Sequence, residues 1–351
     1  MKTATPYYQK VSRATARKDY FSAYEIEKMK VKVLLKDTDK VSVTIDLWKS
    51  KQQISYMVVT AHFVNSEWKL QKCTLNFCDI PSPHTGVVIC DVLQKCLVKW
   101  GIEDKVWTIS VDNASYNDVA IRMLKDNLVY NNSLALYGKL FHVRCCAHIL
   151  NLLVQDGLSE IVDIIKNVRE SVKYLVASES CRLIFSEIAK QLKLPSKKLL
   201  LDCGTRWNAT YFMLSAALDE NDWQKVKEVC SFLEEFNEVT NVISGTEYPT
   251  SNLFLPELHS IKKLLDEAHE NGNIYMKAMV EDVHICQDNS NFDALEWWKM
   301  NNMKFRILSK MTRDILSISI TTVASESAFS AASRIIDPYR DKEDIQEVIL
   351  P

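Results

Sequence analysis

Two kinds of hydrophobic spacing organise the first half of the chain and constrain its fold most strongly. Strand patterns with a two-residue period or a β-rich composition occur at residues 41–46, 54–64, 68–80, 106–111 and 141–145. Amphipathic helical patterns occur at residues 85–100, 117–128 and 147–155. The resulting order, βββαβαβα, predicts an α/β domain with a mixed sheet. Only short polar segments separate the first three strands, so we expect antiparallel pairing among them.

The rest of the chain is predicted to be helical. A helix without breakers is expected at residues 19–36, before the first strand. From residue 163 to about residue 270 almost everything has helical spacing, apart from a loop at 195–207 and a turn at 245–249. Residues 307–336 are predicted to form apolar helices. The complete pattern is α/β plus α.

Composition excludes several classes of protein. The 351 residues contain 7 glycines, too few for a nucleotide fold that cradles phosphates with glycine. Ten scattered cysteines do not form a secreted disulfide framework, so we expect a reducing compartment. We see no signal peptide and no apolar run near the ~20 residues of a membrane span, so no membrane partner is expected.

Charge is distributed unevenly along the chain. The formal net charge is −2, but basic residues prevail in the first part of the sequence and acidic residues in 201–300. The basic residues are densest within residues 1–40, where they could contact nucleic-acid phosphates. The alternative is that Lys28, Lys30 and Lys32 form the solvated face of a helix.

Two aspartates occupy equivalent positions at the ends of predicted strands. In residues 41–46 the apolar side chains take one face, which leaves Ser42, Thr44 and Asp46 on the other. The same parity places Asp112 at the end of the strand at 106–111. Two carboxylates on one face of neighbouring strands could bind a divalent cation, which prefers oxygen ligands. The alternative is turn chemistry or helix capping by aspartate.

Three further groups of residues carry weaker signals. Cys145, Cys146 and His148 offer thiols and an imidazole, either as buried packing or as a nucleophilic pair, but no second zinc-ligand pair follows. Arg206 could contact phosphate and Trp207 could stack on a base, although such a tryptophan is more often packed in a core. Ser325 has the position of a helix N-cap, and the helix dipole would favour the negative charge of Glu326 in the first turn.

Six ordered motifs together resemble the hAT transposases. They are residues 44–48, 83–86, 108–114, 144–152, 205–208 and 323–330. The similarity runs from about Val11 to Arg340 and is greatest to the RICESLEEPER/DAYSLEEPER branch of BED-finger proteins.

The resemblance implies a fold, a set of site residues and a cofactor. The implied fold is an RNase H-like mixed-sheet core with a helical insertion and a C-terminal helical hAT dimerisation region. Asp46, Asp112 and Glu326 match the three catalytic carboxylates that bind Mg²⁺ or Mn²⁺ in the family. The residues matched to its DNA-contacting elements are Arg206, Trp207, Cys145 and His148. Trp207 matches the aromatic residue that steadies a flipped base in the family.

Departures from the family pattern shape the functional expectation. No cysteine precedes Cys73, so no BED zinc finger is expected in this chain, and the stretch between Trp207 and Glu326 is shorter than in the family. The chain also ends soon after Arg340, which we expect to weaken dimerisation. The predicted domains are a basic helical lead-in at residues 1–38, the RNase H-like core at 39–215, a shortened helical insertion at 216–290 and a truncated dimerisation region at 291–351.

These features predict a transposon-derived nuclear protein that binds DNA and forms homodimers or pairs with related hAT proteins. We expect that such a domesticated, truncated protein no longer transposes. The alternatives are a residual metal-dependent nuclease or strand transferase, and a transposon relic without activity.

Overall fold

The structure is a computed structural model that divides into two compact units. It describes residues 11–50, 53–130, 134, 138–159, 161–193, 199–204, 206–217, 224–270, 293–304, 306–326 and 328–329. The first unit comprises residues 1–145, 246–251 and 293–351, and the second comprises residues 146–245 and 252–292. Among the described residues, no helix is long and apolar enough to cross a membrane. Residues 1–10, 271–292 and 330–351, which fall in the predicted lead-in, insertion and dimerisation ranges, lie outside the described residues.

A five-stranded mixed sheet forms the centre of the first unit. Its strands are β1 (Val41–Lys49), β2 (Ser55–Val64), β3 (Leu70–Asp79), β4 (Val106–Val111) and β5 (His142–Arg144). They lie in the order β3-β2-β1-β4-β5. The pairs β1–β2 and β2–β3 are antiparallel, whereas β1–β4 and β4–β5 are parallel. The predicted α/β class, the mixed sheet and the antiparallel pairing of the first three strands are therefore confirmed.

Two helices form the apolar layer on one face of the sheet. Helix α2 (Gly86–Trp100) and helix α3 (Ser115–Tyr130) pack against each other. Alternate residues of β1, among them Val43 and Ile45, are fully buried in the same core as residues of these helices. The hydroxyl of Thr85 caps α2 by accepting a bond from the Val88 amide at 3.4 Å. Gly101 ends the helix with φ of 65°, a conformation that glycine adopts without steric cost.

Residues from the C-terminal part of the chain cover the other face. All ten residues of β2 are buried, so both faces of this strand are covered. Phe329 packs on Trp48 and Phe77, with ring centroids 5.5 and 5.9 Å apart. Helix α10 (Ala294–Asn301) places Trp298 parallel to Trp68 at 6.5 Å, and helix α11 (Arg306–Leu316) contacts β2.

The basic lead-in helix is longer than its predicted extent. Helix α1 spans Arg13–Lys36, and the Ser12 hydroxyl caps it by accepting a bond from the Thr15 amide. Its C-terminal end is fixed because Lys105 Nζ donates to the carbonyls of Leu35 and Lys36 at 2.9 and 2.7 Å. Lys28 and Lys30 pair with glutamates three residues earlier, which favours the solvated-face interpretation for these two lysines.

The second unit is helical throughout its described elements. The helices are α4 (Cys146–Ser159), α5 (Val162–Ala177), α6 (Glu179–Gln191), α7 (Trp207–Ala217), α8 (Gln224–Ile243) and α9 (Phe254–Glu270). Helix α8 contacts α4, α7 and α9. Its buried side chains, including Phe232 and Phe236, recur at the spacing of one helix face. This arrangement confirms the predicted helical character of the described residues within 163–270, where α6 ends before the predicted loop and α8 ends before the predicted turn.

Candidate functional site

Asp46 and Asp112 both lie just beyond the end of the parallel β1–β4 pairing. The prediction that Asp46 ends its strand is wrong, because β1 stays paired with β2 as far as Lys49. The register of the parallel pair places Thr44 of β1 opposite Ser110 of β4, and each aspartate follows two residues later. The charges of both carboxylates affect the pKa of one phenol, that of Tyr116. Burial raises the pKa of Tyr116, and the charges of Asp112 and then Asp46 raise that pKa further. Both aspartates are therefore near enough to Tyr116 for their charges to act on its phenol.

Each aspartate also makes local hydrogen bonds. Asp112 Oδ1 accepts from the Ala114 amide at 3.0 Å and from Asn117 Nδ2 at 2.6 Å, so it organises the turn into α3. Asp46 Oδ1 accepts from the Leu47 amide at 2.9 Å. Turn chemistry at Asp112 is thus observed, and it is compatible with cation binding because a carboxylate can accept about four bonds.

Ser325, the residue before Glu326, is hydrogen-bonded to strands β1 and β2. Ser325 Oγ lies 2.8 Å from Thr44 Oγ1 and 3.2 Å from Thr60 Oγ1, and it donates to the Thr44 carbonyl at 3.3 Å. The N-cap interpretation of Ser325 is wrong, because the amides of Ser325 and Glu326 both donate to the Thr322 carbonyl one turn earlier. The Ser325 hydroxyl instead attaches this turn to the sheet.

The half-buried carboxylates of Asp46, Asp112 and Glu326 have suitable chemistry for Mg²⁺ or Mn²⁺, since these ions prefer oxygen ligands. Within the part of the chain that the structure describes, no three His, Cys, Asp or Glu side chains form a group able to hold a metal ion. Metal binding by the three carboxylates stays a prediction.

A buried polar layer joins the sheet to residues 317–325. Besides Ser325, it contains Ser42 Oγ at 3.1 Å from Ser317 Oγ, and Ser110 Oγ, which donates to the Ser319 carbonyl. His62 Nε2 lies 3.0 Å from Thr44 Oγ1 in the same layer. The placement of Ser42 and Thr44 on the face opposite the apolar core is confirmed. Sequence reasoning missed His62 and Thr60, because a polar residue inside a strand carries no signal of a partner elsewhere in the chain.

Removing the Ser325 hydroxyl should measurably weaken this layer. We expect Ser325→Ala to lower the free energy of unfolding by about 2 kcal/mol, because the buried hydroxyls of Thr44 and Thr60 each lose a partner. Urea denaturation measures the change. The control is Ser260→Ala on the exposed side of α9, which should stay within about 0.5 kcal/mol of the unchanged protein. Equal effects of the two variants would contradict the assignment.

Cys145 and His148 belong to different units. Cys145, 2% exposed, ends the run after β5, and its Sγ accepts from the amide and the hydroxyl of Thr322, both at 3.4 Å. This contact fixes the segment before Glu326 to the end of β5. His148 is half-buried on α4 in the second unit. Their predicted roles near DNA stay predictions.

Arg206 and Trp207 lie where a partly buried ion pair holds the loop before α7. Arg206 is exposed, whereas Trp207 is 3% exposed, so a base could stack on this ring only after the ring had moved. Arg169 Nε and Nη2 donate to the two oxygens of Asp202 at 2.7 Å each, and Thr210 Oγ1 donates at 2.8 Å. The bond from Arg169 is the main reason that the pKa of Asp202 lies below its usual value. No local pattern of residues indicated this ion pair.

Three family descriptions match consecutive parts of the chain. Residues 44–140 match the ZBED1 RNase-like domain, and residues 143–247 match the ZBED1 RNase-like helical domain. Residues 272–348 match the hAT family C-terminal dimerisation region. The first two matches meet near Cys145, where the two structural units also divide.

Several curated plant proteins are similar to the chain over most of its length. It is 34% identical over 325 residues to the zinc finger BED domain-containing protein RICESLEEPER 1 of Oryza sativa subsp. japonica, covering 86% of this chain and 44% of that protein. The putative AC transposase of Zea mays is 29% identical over 484 residues, covering 97% and 60%. The zinc finger BED domain-containing protein DAYSLEEPER of Arabidopsis thaliana is 25% identical over 461 residues, covering 95% and 66%.

The chain spans about half the length of the rice and maize relatives. The maize comparison extends over 484 residues, more than the 351 of this chain, so the maize protein carries residues inside the matched stretch that this chain lacks.

Proposed function

This chain belongs to the hAT transposase-related family, and we propose that it is a nuclear protein of transposase descent that binds DNA, self-associates and no longer transposes. The observation that carries the proposal is the order of the three family matches, from the RNase-like sheet domain through the helical domain to the dimerisation region. The relatives named above include a putative transposase and two BED-finger proteins, which supports a role on DNA.

The charge of exposed groups supports contact with the DNA backbone. Arg13, Arg17 and Lys18 are exposed at the N-terminal end of α1, and Arg206 is exposed before α7. Lysine and arginine side chains that neutralise phosphates release counterions, so the binding they support weakens as salt concentration rises. Binding of this kind does not require the chain to read a base sequence.

The shortened stretch supports the loss of transposition. The maize putative transposase carries residues within the matched stretch that are missing here. A reaction of several steps needs more of the protein than simple DNA binding does, so we expect the shortening to affect transposition first.

A second candidate is a residual metal-dependent nuclease or strand transferase. The position of Asp46 and Asp112 just beyond the end of the parallel β1–β4 pairing favours it, together with the anchoring of the Glu326 turn to Thr44. These three carboxylates would hold Mg²⁺ or Mn²⁺, and such ions stabilise charge on phosphate oxygens.

One experiment distinguishes the candidates. Purified protein is incubated with labelled duplex DNA and Mg²⁺ or Mn²⁺, beside Asp112→Asn. We expect both proteins to shift the DNA, with a salt-dependent affinity, and neither to cut it. Metal-dependent nicking that disappears in Asp112→Asn would instead establish the second candidate. A chain that neither shifts nor cuts DNA would overturn both candidates and leave a transposon relic.

A further inference from the structure

Two side chains of β5 that can carry positive charge lie beside helix α3. Arg144 is paired with Val111, the last residue of β4, and His142 lies two residues earlier on the same face of the sheet. Arg144 Nη2 donates to Oδ1 and Oδ2 of Asp118 on α3 at 3.1 and 3.0 Å, and His142 Nε2 lies 3.7 Å from Asp118 Oδ1. Because Asp112 follows Val111 in the chain, these groups adjoin the end of β4 at which the candidate site lies.

Asp118 holds the Arg144 guanidinium in place and leaves part of it available. Both bonds to the carboxylate come from Nη2, and within the part of the chain that the structure describes neither Nε nor Nη1 donates a hydrogen bond. The Arg144 side chain is 51% exposed, so a ligand in solution can reach it. The planar fork of N–H donors in a guanidinium matches the oxygens of a phosphate. Asp118 therefore acts as a positioning residue, and Arg144 is oriented to bind an anion.

Lys125 brings a second positive charge to the same place. It is half-buried on α3, two turns after Asp118. Its stem lies against the turn before β5, since a Cβ atom added to Gly138 would be 2.8 Å from Lys125 Cε and 3.3 Å from Lys125 Cγ. Among the described residues, Lys125 forms no ion pair. Packing thus keeps the ammonium near β5 without giving it a carboxylate of its own.

The charges of this group are not balanced. Burial lowers the pKa of His142; the Asp118 carboxylate raises that pKa, and the charges of Arg144 and Lys125 lower it further. Both cations are therefore close enough to act on the imidazole, which is mainly neutral at pH 7. Two positive charges then face one carboxylate. Such an excess in a partly buried site attracts an anion, whose charge would offset the repulsion between the two cations.

We propose that Lys125, His142 and Arg144 form a phosphate subsite, which binds a backbone phosphate of DNA beside the end of β4. The inference rests on the DNA binding in the proposed function and assigns part of it to named residues. A phosphodiester carries one negative charge, which matches the positive excess here, and it presents the oxygens that a guanidinium fork binds. The phosphate subsite also adjoins Asp112, so a strand held here by its phosphate would pass the candidate cation site.

Fluorescence anisotropy of labelled duplex DNA at a series of salt concentrations tests the proposal. We expect the double variant Lys125→Gln/Arg144→Gln to bind DNA at least about tenfold more weakly, because two charged contacts to the phosphate are lost. The slope of log affinity against log salt should fall by about one, the value for one phosphate that is no longer neutralised. Arg144→Lys keeps the charge but loses the fork, so it should keep the slope and weaken the affinity less than the double variant.

The matched control is Lys95→Gln on α2, an exposed lysine of the same unit that pairs with Asp91 and lies outside the phosphate subsite. It should change neither the affinity nor the slope, and thermal melting checks that each variant folds.

Two results would overturn the phosphate subsite and leave DNA binding intact. One is a double variant that binds DNA with the affinity and slope of the wild type. The other is a Lys95→Gln variant that weakens binding as much as the double variant does, because any surface cation would then serve equally. A wild-type chain that binds no DNA would overturn the DNA-binding part of the proposed function together with the phosphate subsite, so the two failures give different patterns.

Discussion

Acidification below pH 6.5 is expected to destabilise the first unit through His62, by up to about 1.4 kcal/mol for each pH unit. His62 is 5% exposed, and its Nε2 lies 3.0 Å from Thr44 Oγ1 in the buried polar layer. Burial, with a smaller effect of the Lys72 charge, lowers the pKa of His62 to about 3. The unfolded chain keeps the ordinary value of 6.5 and takes up the proton first. The stability provided by neutral His62 is therefore complete above pH 6.5 and is lost progressively between pH 6.5 and about 3.

Urea denaturation at several pH values between 7 and 5 measures this slope. The test variant is His62→Gln, which keeps a polar group beside Thr44 but cannot take up the proton. We expect it to be less stable than the wild type at neutral pH and to lose less stability on acidification. Ser260→Ala, the exposed control on α9, changes no titrating group and should keep the wild-type slope. Parallel slopes for the wild type and His62→Gln would refute the assignment.

Removing the guanidinium of Arg169 is expected to lower the free energy of unfolding by about 3 kcal/mol. The Asp202 side chain is fully enclosed, and Arg169 supplies two hydrogen bonds of 2.7 Å to its two oxygens. In Arg169→Ala the carboxylate keeps the bond from Thr210 but loses its counter-charge. An uncompensated charge in a low-dielectric site is costly, so the loss exceeds that of an exposed ion pair.

Chemical denaturation of three variants tests the ion pair. Arg169→Ala should show the full loss, and Arg169→Lys a smaller one, because an ammonium cannot reproduce the two-pronged geometry of a guanidinium. Arg182→Ala removes an exposed arginine from α6 in the same unit and should stay within about 0.5 kcal/mol of the unchanged protein. If Arg169→Ala behaves like Arg182→Ala, the pair does not stabilise the loop before Trp207.

The sequence by itself determined the elements of the sheet domain and their order. Strand and helix periods are local properties, so residues 41–46 and 106–111 could be identified as strands without knowledge of their neighbours. The same parity argument placed Ser42 and Thr44 opposite the apolar core. It did not find the end of β1, which continues past Asp46 to Lys49, whereas Asp112 does follow the last residue of β4. Glu326 entered the candidate site through the family resemblance, since no local pattern links it to the aspartates.

Only the tertiary structure decided which polar groups meet and which way apolar faces point. Ser325 bonds to Thr44 across 281 positions, and Arg169 meets Asp202 across 33, separations over which sequence periodicity carries no information. Hydrophobic periodicity identifies the apolar side of α11 but not whether that side faces the core or the solvent. Packing of Arg313 and Leu316 against Trp68 fixes the rotation of the helix about its axis. Trp207 is similar: its aromatic ring suits either stacking or packing, and only the surrounding helices bury it.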